Sequence, residues 1–198
     1  MSDRAVSVLR THDDRLIPVA GVYEIDGTHT AVEFVARHLM ITRVRGRFKD
    51  LRGQITIAEE PEASHVEVEI GAAGLDTGNN DRDAHLRSAD FFEVEQYPII
   101  TFRSTSVRAL PDGAWEMVGD LTIRDTTWAV SLTVDFDGAD VSPLGDERIG
   151  FTAATEVNRE DFGLTWNETL ETGGVLVGKT VRIDLAVQAI ATTRAAVA

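Results

Sequence analysis

The chain has no cysteine, which excludes disulfides, thiol catalysis and cysteine-bound metal. Nor does it have an apolar run approaching the ~20 residues needed to cross a bilayer as a helix. Basic residues are in deficit: 19 Lys and Arg stand against 33 Asp and Glu, a formal net charge of −14. Phosphate neutralisation needs a basic footprint, so nucleic acid is not an expected partner. The segment before Gly21 scatters its charges and holds no uninterrupted apolar core, so it does not read as a secretory signal, and a cytoplasmic location is expected. There is no G-x-S-x-G elbow, no zincin spacing and no nucleophile–base pair that can be placed. No catalytic residue, metal or cofactor is therefore expected.

What is present is ordinary in amount. At 198 residues and 43% hydrophobic content, the chain is long enough for one domain with a substantial core or a lumen. Residues 1–20 read as a flexible arm, 21–192 as the domain and 193–198 as a tail.

Alternation of apolar and polar residues dominates that domain. Trp128, Val130, Leu132, Val134 and Phe136 share one strand face, and Val181, Ile183, Leu185 and Val187 share another. Val66, Val68 and Ile70 alternate with His65, Glu67 and Glu69, and Val32, Phe34 and Ala36 behave alike. Strands with one wet face belong to antiparallel sheets. Turn signals at Asp26-Gly27, Pro61, Pro111-Asp112-Gly113 and Pro143-Leu144-Gly145 divide about eight of them. A barrel and a packed sandwich are both compatible with this pattern.

One stretch breaks the alternation. In Asn79–Phe102, Asn79 and Asn80 can cap a helix whose first turn is acidic (Asp81, Asp83), and Pro98 closes the helical stretch before a new strand at Ile99. The expectation is an all-β protein with one helical insert around residues 80–96.

Several segments resemble chemical motifs. Gly173–Thr180 matches G-x-x-x-x-G-K-T, but that motif needs a helix at the lysine, and a strand alternation follows instead. It reads as a hairpin turn. The run containing Arg37, Arg43, Arg45, Arg47, Lys49 and Arg52 reads as a solvated outer face blunting a strand edge; the alternative is a patch for a phosphate headgroup or an acidic membrane surface. Arg82, Asp83 and His85 read as a capped helix with its charges tied to nearby backbone, since residues two apart do not share a helix face. His29 and His38 stand alone near strand positions, and either could line a lumen. Asn167-Glu168-Thr169 is a formal glycosylation sequon without a secretory context.

Together, ordered short pieces resemble the YceI-like polyisoprenoid-binding family from about Gly21 to Ile190. They are Tyr23-Glu24-Ile25-Asp26, His29-Thr30, Val32-Glu33-Phe34, Val44-Arg45-Gly46-Arg47-Phe48, Gly53-Gln54-Ile55, Arg82-Asp83-Ala84-His85-Leu86, Asp90-Phe91-Phe92, Tyr97-Pro98, Thr101-Phe102, Gly119–Ile123 and Asn158–Leu164. The resemblance implies an extended, lipocalin-like antiparallel barrel of eight strands, whose lumen takes a long isoprenoid chain, often in a homodimer. Many family members are exported, and this chain departs from them in showing no export signal.

A polyprenyl tail offers no hydrogen bonds, so its site needs length, apolar walls and dryness. The inward faces supply a candidate wall: Phe34, Ala36, Phe48, Val66, Val68, Ile70, Phe102, Val130, Leu132, Val134 and Phe136, with His38 near its edge. Phe91 and Phe92 are expected to close the helical end, and Phe162 and Trp166 the opposite one. The leading expectation is a non-enzymatic carrier for a prenyl lipid or isoprenoid quinone, with peripheral membrane contact in reach. The alternatives are an enzyme acting on an apolar substrate through His38 or the Arg82/Asp83/His85 group, and a stress-related interaction module with a filled core.

Overall fold

The computed structural model describes residues 8–39, 41–169 and 175–194, without the side chains of the last two. Residues 1–7 of the expected arm, Gly173-Gly174 of the expected turn and residues 195–198 of the tail lie outside the described residues. Twelve of the thirteen strands carry the alternation into two sheets: β1 (Leu9–His12), β2 (Arg15–Pro18), β3 (Gly21–Ile25), β4 (Ala31–His38), β5 (Thr42–Phe48), β6 (Leu51–Ile57), β7 (His65–Gly71), β9 (Ile99–Ala109), β10 (Trp115–Ile123), β11 (Thr126–Val141), β12 (Glu147–Asn158) and β13 (Val177–Arg194), with β8 a two-residue piece at Leu75–Asp76.

Neighbouring strands run β12-β11-β10-β9-β7-β6-β3-β13, and β13 pairs back onto β12. This closes an eight-stranded antiparallel barrel, not a sandwich. Closure leaves an interior about wide enough for side chains or one slender ligand. The barrel is lengthened by β13. Its C-terminal part pairs β3 and its N-terminal part pairs β4, which carries β5 and then β8 outward. At 18 residues, β13 has a contour of about 60 Å. Register shifts at Val118/Gly119, Phe136/Gly138 and Ala191/Thr193 mark bulges that bend the strands into a closed wall.

Two inward aromatic rings lie flat because the wall beneath them is glycine. A Cβ on Gly46 would sit 2.2 Å from Cζ of Phe34, and one on Gly119 would sit 2.4 Å from Cζ of Phe102. Glycine in a strand often marks such a close approach.

The helix, α1 (Asn80–Arg87), starts as expected, with Asn79 accepting a hydrogen bond from the Arg82 amide. It is shorter than expected. Ser88 turns its hydroxyl back onto the His85 carbonyl, and its own oxygen accepts from the Asp90 amide. Such local side-chain bonds compete with helix continuation, so residues 88–97 form turns well before Pro98. The N-terminal region also differs from the expected arm: β1 and β2 form a hairpin. Ile17 buries its side chain at 4% exposure. Arg10 donates to the Pro18 and Ala58 carbonyls, and Arg15 to those of Leu110, Gly113 and Ala114 while stacking on Trp115. These contacts come from distant sequence, so the segment's own composition does not announce them. Thr193 and Arg194, expected in the tail, belong to β13.

Candidate functional site

The inward faces surround a cavity of about 310 Å³ that follows the barrel axis. Trp115 and Ile123, eight positions and about 26 Å apart along β10, both line it. Its walls are apolar side chains, mostly Val, Ile, Leu and Phe, with five polar or charged exceptions: Thr30, Glu33, Ser64, Thr155 and Arg159. Four of these direct their polar atoms to the backbone. Thr30 bonds the carbonyl and amide of Gln188, Ser64 accepts from the Ala58 amide, and Thr155 donates to the Ser131 carbonyl at 2.7 Å. Arg159 donates to the carbonyls of Gly178, Val177 and Leu164.

Every residue of the expected wall borders this cavity except His38 and Trp166. His38 is the last residue of β4, opposite Thr42 and Val177; the lining of β4 stops at Ala36. Trp166 lies outside the lumen, with its ring 4.5 Å from that of His85 and 5.4 Å from that of Phe91. The placement of Phe162 and Trp166 at the end opposite the helix is corrected. Strand β12 runs toward α1, so the turn that follows it packs Phe162 in one core with Leu86 and Phe92. The opposite end is closed by the β1–β2 hairpin, where Ile17 meets Trp115, Leu132, Val134 and Ala153.

Sequence reasoning missed Ile17, Leu86, Trp115, Met117, Phe151 and Arg159 as lining residues. Trp115, Met117, Leu121 and Ile123 had a readable alternation. Arg159 had only its place in the Asn158–Leu164 motif. It is 4% exposed, and burial pushes its guanidinium below the ordinary value while Glu160 opposes the shift. It pins the turn after β12 to the start of β13.

Of the groups singled out for chemistry, Arg82 and Asp83 meet on Thr77 and His85 stands apart. Arg82 donates to the hydroxyl and carbonyl of Thr77, while Asp83, 5% exposed, accepts from the amide and hydroxyl of the same residue. His85 pairs instead with Asp90 at 2.9 Å. Gly178-Lys179-Thr180 lies within β13, and Lys179 pairs with Glu160; no helix begins there. Asn167 uses its side-chain amide on Val177. Far from α1, His12, Glu60 and Glu62 bring possible ligand atoms within 4.8 Å of one another, with both carboxylates exposed. No helix of the described residues is long and apolar enough to cross a membrane.

The wall is not paired throughout. Strands β11 and β12 are in register from Thr133↔Ala154 to Val141↔Glu147. Toward α1 they part, leaving a side opening of about 290 Å³ beside Trp128, Ser131 and Asn158. The Thr155–Ser131 bond and a 2.7 Å bond from Trp128 Nε1 to the Asp161 carbonyl cross it. Val130, Thr155, Val157 and Phe162 border both the opening and the lumen.

The sequence of residues 23–189 matches the YceI-like domain family. The chain belongs to that family. Among relatives, the "UPF0312 protein" of Pseudomonas putida is 35% identical over 175 residues, covering 87% of this chain and 88% of its own. That of Staphylococcus epidermidis is 35% identical over 167 residues, covering 82% and 93%. Solved structures agree in fold. The YceI protein of Campylobacter jejuni superposes with a TM-score of 0.66 at 28% identity, covering 78% of this chain and 88% of its own. BcnA of Burkholderia cenocepacia gives 0.72 at 21% identity, covering 83% and 98%. A polyisoprenoid-binding domain from Saccharophagus degradans gives 0.62 at 18% identity, covering 85% and 98%. The YceI-like barrel is thus the frame within which the lumen is read.

Proposed function

We propose that this YceI-like protein is a non-enzymatic carrier for a long, slender apolar molecule, a polyisoprenoid such as a prenyl lipid or isoprenoid quinone. One observation carries the reading: an apolar cavity runs lengthwise through the barrel, and four of its five polar liners are already bonded to backbone. A substrate that needs proton transfer or charge stabilisation would require free polar groups at the wall. A hydrocarbon chain requires only length and dryness. Each CH₂ it buries is worth about 0.8 kcal/mol before ordering costs are subtracted. The fold shared with a polyisoprenoid-binding domain supports the same ligand class.

The wall residues named above, Phe34, Ala36, Phe48, Val66, Val68, Ile70, Phe91, Phe92, Phe102, Val130, Leu132, Val134, Phe136 and Phe162, are the proposed contacts. The family resemblance adds a homodimer, which light scattering on the purified protein tests. The ligand is tested by organic extraction of purified protein followed by mass spectrometry. A prenyl lipid in the extract, or saturable uptake of an added one, is the expected result. Protein that is consistently empty and also ignores added prenyl lipids would refute the reading.

A further inference from the structure

The hairpin formed by β4 and β5 carries charge that the rest of the molecule leaves unanswered. At the base of the hairpin Arg47 and Lys49 meet Asp76, and elsewhere Arg52 meets Glu69, Arg182 meets Asp184 and Lys179 meets Glu160, while Arg15, Arg82, Arg87 and Arg159 donate to backbone carbonyls. Toward the hairpin tip the matching stops. Arg37 and Arg43 are direct cross-strand partners, and Arg45 stands opposite Val35 on the same outward face. All three are exposed, and among the described residues none has a carboxylate within ion-pair reach. Like charges placed opposite one another destabilise a strand pair. This happens in a chain with 33 acidic residues against 19 basic ones.

Edge protection explains only part of the pattern. Strand β8 pairs β5 only at Arg47 and Phe48, so the rest of that edge is open and charge there deters sheet extension. Arg37, however, lies on β4, which is paired on both sides. Edge protection also gives no reason for Ile41, 82% exposed at the turn between the strands. That turn is tight, with the Ile41 amide bonded to the His38 carbonyl and Leu39 at a φ of 54°. An aliphatic tip flanked by unpaired guanidinium groups is complementary to a bilayer of anionic lipids, which offers phosphates outside and hydrocarbon beneath.

We propose that the β4–β5 hairpin docks the protein on an anionic lipid bilayer, with Arg37, Arg43 and Arg45 over the headgroup phosphates and Ile41 entering the interface. The negative charge on the rest of the surface does not forbid this, because salt screens charges more than about 8 Å apart. The hairpin stands at the α1 end of the lumen, beyond Ala36, so docking brings that end to the membrane. The inference rests on charge and shape at the tip and holds whatever the lumen carries.

Sedimentation of the full chain with vesicles tests it, using phosphatidylcholine alone or mixed with phosphatidylglycerol and no prenyl lipid. The expected result is binding to the mixed vesicles only, weakening as salt rises. The triple variant R37S/R43S/R45S, shown to be folded by its thermal transition, should bind on the order of 100-fold more weakly, from about fivefold per basic residue at the surface. Ile41→Ser should weaken binding while keeping the salt dependence. Three results would overturn the proposal: no binding to the mixed vesicles, equal binding to neutral ones, or undiminished binding by the triple variant. Retention on heparin that the mixed vesicles fail to compete would overturn it too, in favour of a soluble polyanion.

Discussion

Replacing Gly46 by alanine puts a methyl group where the Phe34 ring now lies. The new Cβ would start 2.2 Å from Cζ and 2.7 Å from Cε1 of that ring and 2.8 Å from Thr77 Cγ2, and ordinary contact begins near 3.4 Å. The ring must therefore retreat from the wall by about 1.2 Å. Only the lumen offers it room, since Phe34 lines the cavity and its other side rests 5.6 Å from the ring of Phe48. Overpacking a filled core costs about 1–3 kcal/mol. Here the empty protein moves the ring inward, and only the contact with Thr77 Cγ2, whose residue bonds Arg82 and Asp83, is left to absorb, so its unfolding midpoint should fall modestly. The cost reappears when a ligand claims the same space, and 1–3 kcal/mol corresponds to a loss of about 5- to 150-fold in affinity. Displacement of a fluorescent polyene probe by a prenyl lipid measures this. The double variant Gly46→Ala with Phe34→Ala removes the clash with the ring, though not the 2.8 Å contact with Thr77 Cγ2, and should recover part of the lost affinity. Unchanged affinity in Gly46→Ala, with the protein folded, would refute the argument that glycine keeps the lumen open. The equivalent change at Gly119 differs, because its Cβ would also meet the Arg103 carbonyl at 2.7 Å, and backbone cannot swing aside.

Asp26 is held at a pKa of about 2, below the ordinary carboxyl value of 3.8, chiefly by the hydrogen bond to His29, with Arg148 and the Thr28 amide adding to it and burial opposing. A depressed carboxyl stabilises the fold fully above its unfolded pKa, and that contribution fades as pH falls from about 4 to 2. Asp26→Asn should therefore lower stability by up to about 2 kcal/mol near neutrality, with the gap to wild type closing in acid denaturant titrations run toward pH 2. Arg159→Met keeps much of the side-chain volume but strips the Gly178, Val177 and Leu164 carbonyls of their donor. A loss of about 2–3 kcal/mol is expected in chemical denaturation, and a variant as stable as wild type would show that the carbonyls find other partners.

The barrel wall was legible because alternation fixes which side chains share a face, and a one-residue error would have turned every one of them outward. That is why the lumen collects Val66, Val68 and Ile70 with Val130, Leu132 and Val134 from strands distant in sequence. Closure was not legible from pattern, because it depends on β13 pairing β12 on one side and both β3 and β4 on the other. The resemblance supplied it. The ends of the lumen were read least well. Trp166 and Phe162 follow β12, and which end they reach depends on strand direction in the closed sheet, not on their own neighbours. The β1–β2 hairpin was invisible for a related reason: its anchors, Ala58 and the turn at 110–114, are far away in the chain. The separation of Asp83 from His85 followed from their spacing, two residues apart on a helix, whereas the meeting of Arg82 and Asp83 on Thr77 did not.

The long strand β13 also governs how the molecule is made. It is the final strand of the barrel in chain order and the shared neighbour of β12, β3 and β4. Until it has been synthesised, β3 and β12 face each other across a gap, and the greasy walls stand open to water like an unrolled cylinder. Pairing residue 22 with residue 193 joins distant parts of the chain, and such topologies fold slowly. An intermediate lacking β13 would therefore leave the apolar inner wall accessible from the side, along the seam between β3 and β12.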